Sequence, residues 1–207
     1  MARASNVQRA WQQMREEAAH CTRCDLYKCA TQTVFGEGPL NAKILFVGEQ
    51  PGDQEDLAGR PFVGPAGQLF DAALEEAGID RARTYVTNAV KHFKWKPQGK
   101  RRKHQKPLMS EVTACKPWME AELDVVRPKI LVCLGATAAQ SVLGKGVLIT
   151  QERGKFIDGP SGRLTFITIH PSSIYRHPDK EEQEKEYRRF ASDLKLVQRK
   201  LTTLKAA

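Results

Sequence analysis

The chain has 207 residues, 41% of them hydrophobic, with 33 Lys and Arg against 24 Asp and Glu, a formal charge of +9 at pH 7. That length suits one domain spanning residues 1–207. No apolar run approaches the roughly 20 residues of a membrane helix and the first residues lack a signal peptide's apolar stretch, so a cytoplasmic protein is expected and a spanning or secreted one excluded. The excess charge is local: Lys91 to Lys106 carries eight basic residues, His92 and His104 and no acid, while the remainder holds 25 basic against 24 acidic residues. Such a concentration points to a polyanion, most often nucleic acid, with a solvated basic loop as the plain alternative.

Residues 6–19 read as an amphipathic helix, with Val7, Ala10, Trp11, Met14 and Ala18 at helical spacing. It delivers the chain to Cys21-Thr22-Arg23-Cys24, and Cys29 follows. Five cysteines, an odd number, do not suggest a disulfide framework, whereas the two-residue gap lets adjacent thiolates converge on zinc or an iron–sulfur cluster, or form a redox pair. After a Gly/Pro-rich link at 36–39, the apolar run 43–48 stops at Gly48 and reads as a buried strand; 85–90, 130–135 and 164–169 are runs of the same kind. Helical stretches over 66–77, 110–126 and 136–143 separate them, and a last helix over 180–202 carries Tyr187, Phe190, Leu194 and Val197 as its apolar stripe. Cys133, inside the third run, reads as a small core residue. Four buried strands alternating with helices predict an α/β fold, a three-layer α/β/α sandwich around a four-stranded parallel sheet. Ligands of such sheets gather beyond the carboxyl ends of the strands.

Those ends hold the polar residues of interest. The first strand runs into Gly48-Glu49-Gln50-Pro51-Gly52-Asp53-Gln54-Glu55-Asp56. With four acids and no Lys it is a poor phosphate cradle; it suits a site that needs acceptors, a general base or an activated nucleophile, or else an acidic solvent loop. Phe62, among the turn formers of 59–67, serves either as a core plug or as a platform on which a base stacks. Asn88 interrupts the second apolar run, and its carboxamide can read a pyrimidine edge or pair with backbone. His170, held by Pro171 just past the fourth strand, can donate to a developing negative charge or simply sit at the surface.

Taken together, Cys21-x-x-Cys24, GEQPGDQED at 48–56, GRPFVGPAG at 59–67, TNAVKH at 87–92, LGATAA at 134–139 and HPSSIYR at 170–176 resemble the uracil-DNA glycosylase superfamily. The resemblance is nearest to the iron–sulfur-bearing family 4 enzymes and their UdgX branch, and covers roughly residues 15–195. It implies uracil-containing DNA, single- or double-stranded, as substrate and a monomeric enzyme. It further implies that Phe62 stacks on the flipped base, that Asn88 reads it, and that His170 stabilises it as it departs. Gly48, Gln50, Asp53 and Asp56 would shape the pocket. The UdgX branch carries a basic insertion, usually KRRIH, matched here by Lys100-Arg101-Arg102-Lys103-His104, with Lys in place of Ile, in a loop at about 93–108. By resemblance Lys100, Arg101 and Arg102 grip DNA, His104 captures the sugar carbon covalently, and Glu49 polarises or deprotonates that imidazole. A [4Fe–4S] cluster is implied on Cys21, Cys24, His92 and Cys115, with Cys29 as the rival ligand and zinc equally suited to the donor types. Two alternatives stand beside self-capture: an ordinary turning-over glycosylase, and a non-catalytic DNA-binding iron–sulfur module.

Overall fold

The computed structural model describes residues 2–159 and 162–206. Its strands in chain order are β1 (Ile44–Gly48), β2 (Thr84–Asn88), β3 (Trp95–Gln98), β4 (Arg101–His104), β5 (Ile130–Leu134), β6 (Phe156–Asp158) and β7 (Leu164–Thr168). The helices are α1 (Ala2–Ala19), α2 (Asp53–Ala58), α3 (Pro65–Glu76), α4 (Met109–Val126), α5 (Ala136–Leu143), α6 (Ile149–Glu152), α7 (Pro171–Tyr175) and α8 (Lys180–Ala206). None of the described helices is long and apolar enough to cross a membrane.

The central sheet has the order β2-β1-β5-β7-β6. Its first four strands are the four apolar runs, all parallel. Continuous apolar sequence suits them because both faces are covered. Phe46, Val132 and Phe166 point into one core with Phe70, Leu74, Phe190, Leu194 and Val197, while Leu45, Val47, Leu131, Cys133 and Ile167 point into the other with Met119 and Leu123. These two cores sandwich the sheet between α3 and α8 on one side and α4 and α5 on the other. Cys133 is fully buried there, as a core residue.

Two elements extend the expected fold. β6 pairs antiparallel with β7 as a fifth, edge strand, so the sheet is mixed. The stretch expected as a basic loop contains a β-ribbon, β3 against β4, with Lys96 opposite Lys103 and Trp95 opposite His104. Gly99 turns it with φ 60°, the positive value that a two-residue hairpin turn requires and glycine supplies without strain. α1 is docked on the sheet by Trp11, whose Nε1–H donates to the Tyr85 hydroxyl at 2.9 Å.

β1 lies between β2 and β5, so successive connections leave it toward opposite sides and open a crevice beyond its carboxyl end. The register aligns Gly48 of β1 with Asn88 of β2 at the rim of that crevice.

Candidate active site

A cavity of about 280 Å³ opens at the rim, with Gln50, Phe62, Asn88, His104, His170 and Tyr175 in its wall. Gly48 marks its floor. A Cβ built there would stand 2.3 Å from Asn88 Oδ1, 2.8 Å from Phe62 Cζ and 3.4 Å from His170 Nε2, so three functional groups from separate elements converge on one spot that only glycine leaves open. Phe62 holds a left-handed backbone, φ 58°, costly for a non-glycine residue. In that pose its ring packs on Phe70 at 5.2 Å and lies within 26° of parallel to the His170 ring.

His170 is presented by the start of α7. Its Nδ1 accepts the backbone N–H of Ser172 at 3.1 Å, so the ring proton is on Nε2, the atom aimed at the Gly48 floor. Burial pushes its pKa down to about 3, helped by Arg176 and His104. The imidazole is therefore a neutral N–H donor.

His104 closes the ribbon. Its partner Gln50 is oriented by the backbone N–H of Lys94, which donates to Oε1 at 3.0 Å and leaves the amide nitrogen facing outward. That nitrogen donates to Gln105 O at 2.9 Å and to His104 Nε2 at 2.8 Å. The His104 Nε2 atom is thus an acceptor bearing a lone pair, with the ring proton on Nδ1. Burial lowers the pKa of His104, a nearby Glu49 opposes the shift and Arg176 reinforces it, so the ring is neutral. Glu49 Oε1 lies 3.5 Å from Nε2, and its other oxygen accepts the Thr137 hydroxyl at 2.5 Å.

The remaining assignments divide. Lys100 and Arg101 are exposed on the ribbon. Arg102 turns inward, its Nε on Asp53 Oδ1 and its Nη1 on Asp56 Oδ2, both at 2.5 Å, against the rings of Phe93 and Trp95. Asp56 departs from the expected pocket wall. It is fully buried and accepts the Thr31 N–H as well as Arg102, because alternate residues of a ribbon face opposite sides and Arg102 falls on the inner one. Asp53 keeps its place in the cavity wall while pairing with Arg102.

The candidate metal centre lies behind β2. Burial raises the pKa of the Cys24 thiol, with the charges of Glu111, Cys21 and Asp25 adding to the effect. Burial also pushes Cys115 up to about 11, with Lys91 opposing and Cys24 and Cys21 adding. Trp118 Nε1 donates to Cys21 Sγ at 3.1 Å and the Lys91 N–H to Cys115 Sγ at 3.2 Å. His92 Nε2 sits 2.9 Å from Thr33 Oγ1, and because that hydroxyl donates to Ala18 O, it must accept from His92. Nδ1 is left with the lone pair that a ligand needs. Three thiols and one oriented imidazole suit the corners of an iron–sulfur cube. Among the described residues no three His, Cys, Asp or Glu side chains close on a single ion's position. Cys29 is exposed, and its carbonyl is held by Trp95 Nε1 at 2.9 Å.

The profile of the Uracil DNA glycosylase superfamily matches residues 35–195, a span that contains the pocket, the ribbon and Cys115. A type-4 uracil-DNA glycosylase of Thermotoga maritima is 41% identical over 80% of this chain and 83% of its own length. That of Archaeoglobus fulgidus is 35% identical over 84% and 88%, and a type-5 uracil-DNA glycosylase of Pyrobaculum aerophilum is 28% identical over 66% and 64%. The chain belongs to the uracil-DNA glycosylase superfamily.

Three residues of this superfamily member carry structure that the sequence reading did not assign. Glu55 accepts the N–H groups of Gly52 at 3.0 Å and Gly64 at 2.8 Å, binding the two Gly/Pro-rich loops of the pocket together. Glu122 forms a buried ion pair with Lys91 beneath Asn88. Thr137 meets Glu49 at the start of α5. Glu55 left a trace in the sequence as one of the four acids of 48–56, and Thr137 as the hydroxyl of LGATAA just after a strand.

Proposed function

We propose that this glycosylase excises uracil from DNA and captures the resulting sugar on His104. The observation that carries the reading is the state of His104: neutral, its Nε2 lone pair fixed by Gln50, in the wall of the cavity that holds His170, Asn88 and Phe62. Uracil flipped from the strand would stack on Phe62 and bond to Asn88. As the C1′–N1 bond breaks, its electron pair passes to uracil, and His170 Nε2–H donates to the oxygen on which charge gathers. The sugar becomes an oxocarbenium-like cation flanked by Glu49. Nε2 then forms the bond to C1′, gives up its hydrogen bond from Gln50, and the Nδ1 proton leaves to solvent. Lys96, Lys100, Arg101 and Lys103, on the outer side of the ribbon and its turn, would hold phosphates. Cys21, Cys24, Cys115 and Nδ1 of His92 would hold a [4Fe–4S] cluster, which when bound supplies a cross-link between the end of α1, the turn after β2 and α4.

A uracil-containing oligonucleotide run on a denaturing gel tests the reading. The expected result is a DNA-linked protein band resistant to heat and detergent, absent for His104→Ala, which still releases uracil because water can reach the cation. Uracil release with only free abasic DNA from the parent protein would support the turning-over alternative, in which Glu49 serves a water molecule. Binding without base release would support the non-catalytic module.

A further inference from the structure

We propose that Thr137 is the positioning residue that aims the Glu49 carboxylate at the reacting sugar; this rests on Glu49 acting in the pocket, whether beside His104 or beside water. Glu49 is the first residue past β1 and Thr137 the second of α5, just past β5, so the two face each other across the crevice where the sheet's connections diverge. Thr137 is 2% exposed, and its hydroxyl donates to Glu49 Oε2 at 2.5 Å across 88 positions of sequence. On the other side Oε1 lies 3.5 Å from His104 Nε2, beyond hydrogen-bond distance, and that nitrogen already accepts from Gln50.

Nothing on the pocket side therefore fixes the carboxylate. Among the described residues the Thr137 hydroxyl makes the hydrogen bond to that side chain. The terminal torsion of a Glu is broad and roughly two-fold, so without this bond the group turns freely and its charge spreads over several orientations. With it, Oε2 is occupied and Oε1 stands 3.5 Å from His104 Nε2, the atom that bonds to C1′, at an adjoining cavity of about 270 Å³ that shares Gln50, His104 and His170 with the first. A negative charge held in place before reaction stabilises the developing cation without the cost of reorientation. Thr137 itself takes part in no bond change: the glycosidic pair still goes to uracil and the Nε2 pair to C1′.

Single-turnover assays with a uracil-containing oligonucleotide, reading freed uracil and DNA-linked protein separately, test this in Thr137→Val and Thr137→Ser. Val keeps the shape and removes the hydroxyl, and is expected to slow adduct formation about tenfold, the scale of a lost orientation, at unchanged DNA affinity, with Ser restoring the parent rate. If Val does not fold, Thr137→Ala removes the same hydroxyl. A hydroxyl-free variant with parent thermal stability and parent adduct rate overturns the proposal, as does a loss that Ser does not restore. Should the parent form no adduct, the capture reading fails, and Thr137 is judged on uracil release alone: an about tenfold slowing restored by Ser sustains its role, and an unchanged rate removes it.

Discussion

The His170 ring is half-buried in the cavity wall, and the charged or titrating groups that act on it, Arg176 and His104, both disfavour its protonation. Its folded pKa, about 3, lies below the ordinary value near 6.5, so the folded protein binds fewer protons than the unfolded chain through that window. The sign is that stability rises with pH there, and is lost as pH falls toward the folded value. Denaturant unfolding at about pH 7.5 and about pH 5 should show His170→Gln losing about 2 kcal/mol less on acidification than the parent. Equal losses would mean that burial does not hold this ring neutral. His92 and His104 are shifted in the same direction, burial being the first cause in both, so acid sensitivity persists in the variant. His170 and Asn88 were legible in sequence because a polar residue at the end of an apolar run demands a reason. The ion pairs of Arg102 with Asp53 and Asp56 and the bond from Thr137 to Glu49 were not legible, because they depend on which way a side chain faces, and composition carries no direction.

The ribbon β3-β4 shows the same limit at the scale of an element. Strands are recognised by apolar alternation, and 91–106 has charge everywhere, so it reads as loop. Its alternation emerges only in burial: Trp95, Arg102 and His104 are partly covered while Lys96, Arg101 and Lys103 are exposed or nearly so. Lys96 and Lys103 stand directly opposite with no acid paired to either among the described residues, an arrangement that costs stability unless an anion comes between them. Replacing both by Gln should reduce the slope of log binding constant against log salt by about 1.5, because two phosphates would keep their counterions. An unaltered slope would take these lysines out of the DNA interface.

Across the whole molecule, four apolar runs were enough to give the layers and the parallel sheet, because hydrophobic burial is a property of contiguous sequence. β6 has three residues and no period to detect. The buried pair of Lys91 and Glu122 is also silent in sequence, being 31 positions apart. Yet Glu122 gathers the Gly36 N–H at 2.7 Å, the Tyr85 hydroxyl at 3.0 Å and the Thr87 hydroxyl at 2.8 Å, while Lys91 Nζ also donates to Asn88 O at 2.9 Å. This joins α4, β2, the glycine-rich link and, through Trp11, α1. Glu122→Gln leaves Lys91 buried without its carboxylate partner, so chemical denaturation should register a loss of about 3–5 kcal/mol, well above that of an exposed pair. A change below about 1 kcal/mol, the scale of a surface ion pair, would show the network to be dispensable.

The ribbon sorts its residues by odd and even position, so its chemistry depends on length as well as identity. Deleting one residue between Trp95 and His104 would exchange the two sides, presenting Arg102 to solvent and turning a lysine toward Asp53 and Asp56. Substitutions on the outer side change the charge of the ribbon without touching the imidazole. Insertions and deletions keep His104 beside Gln50 only when they come in pairs.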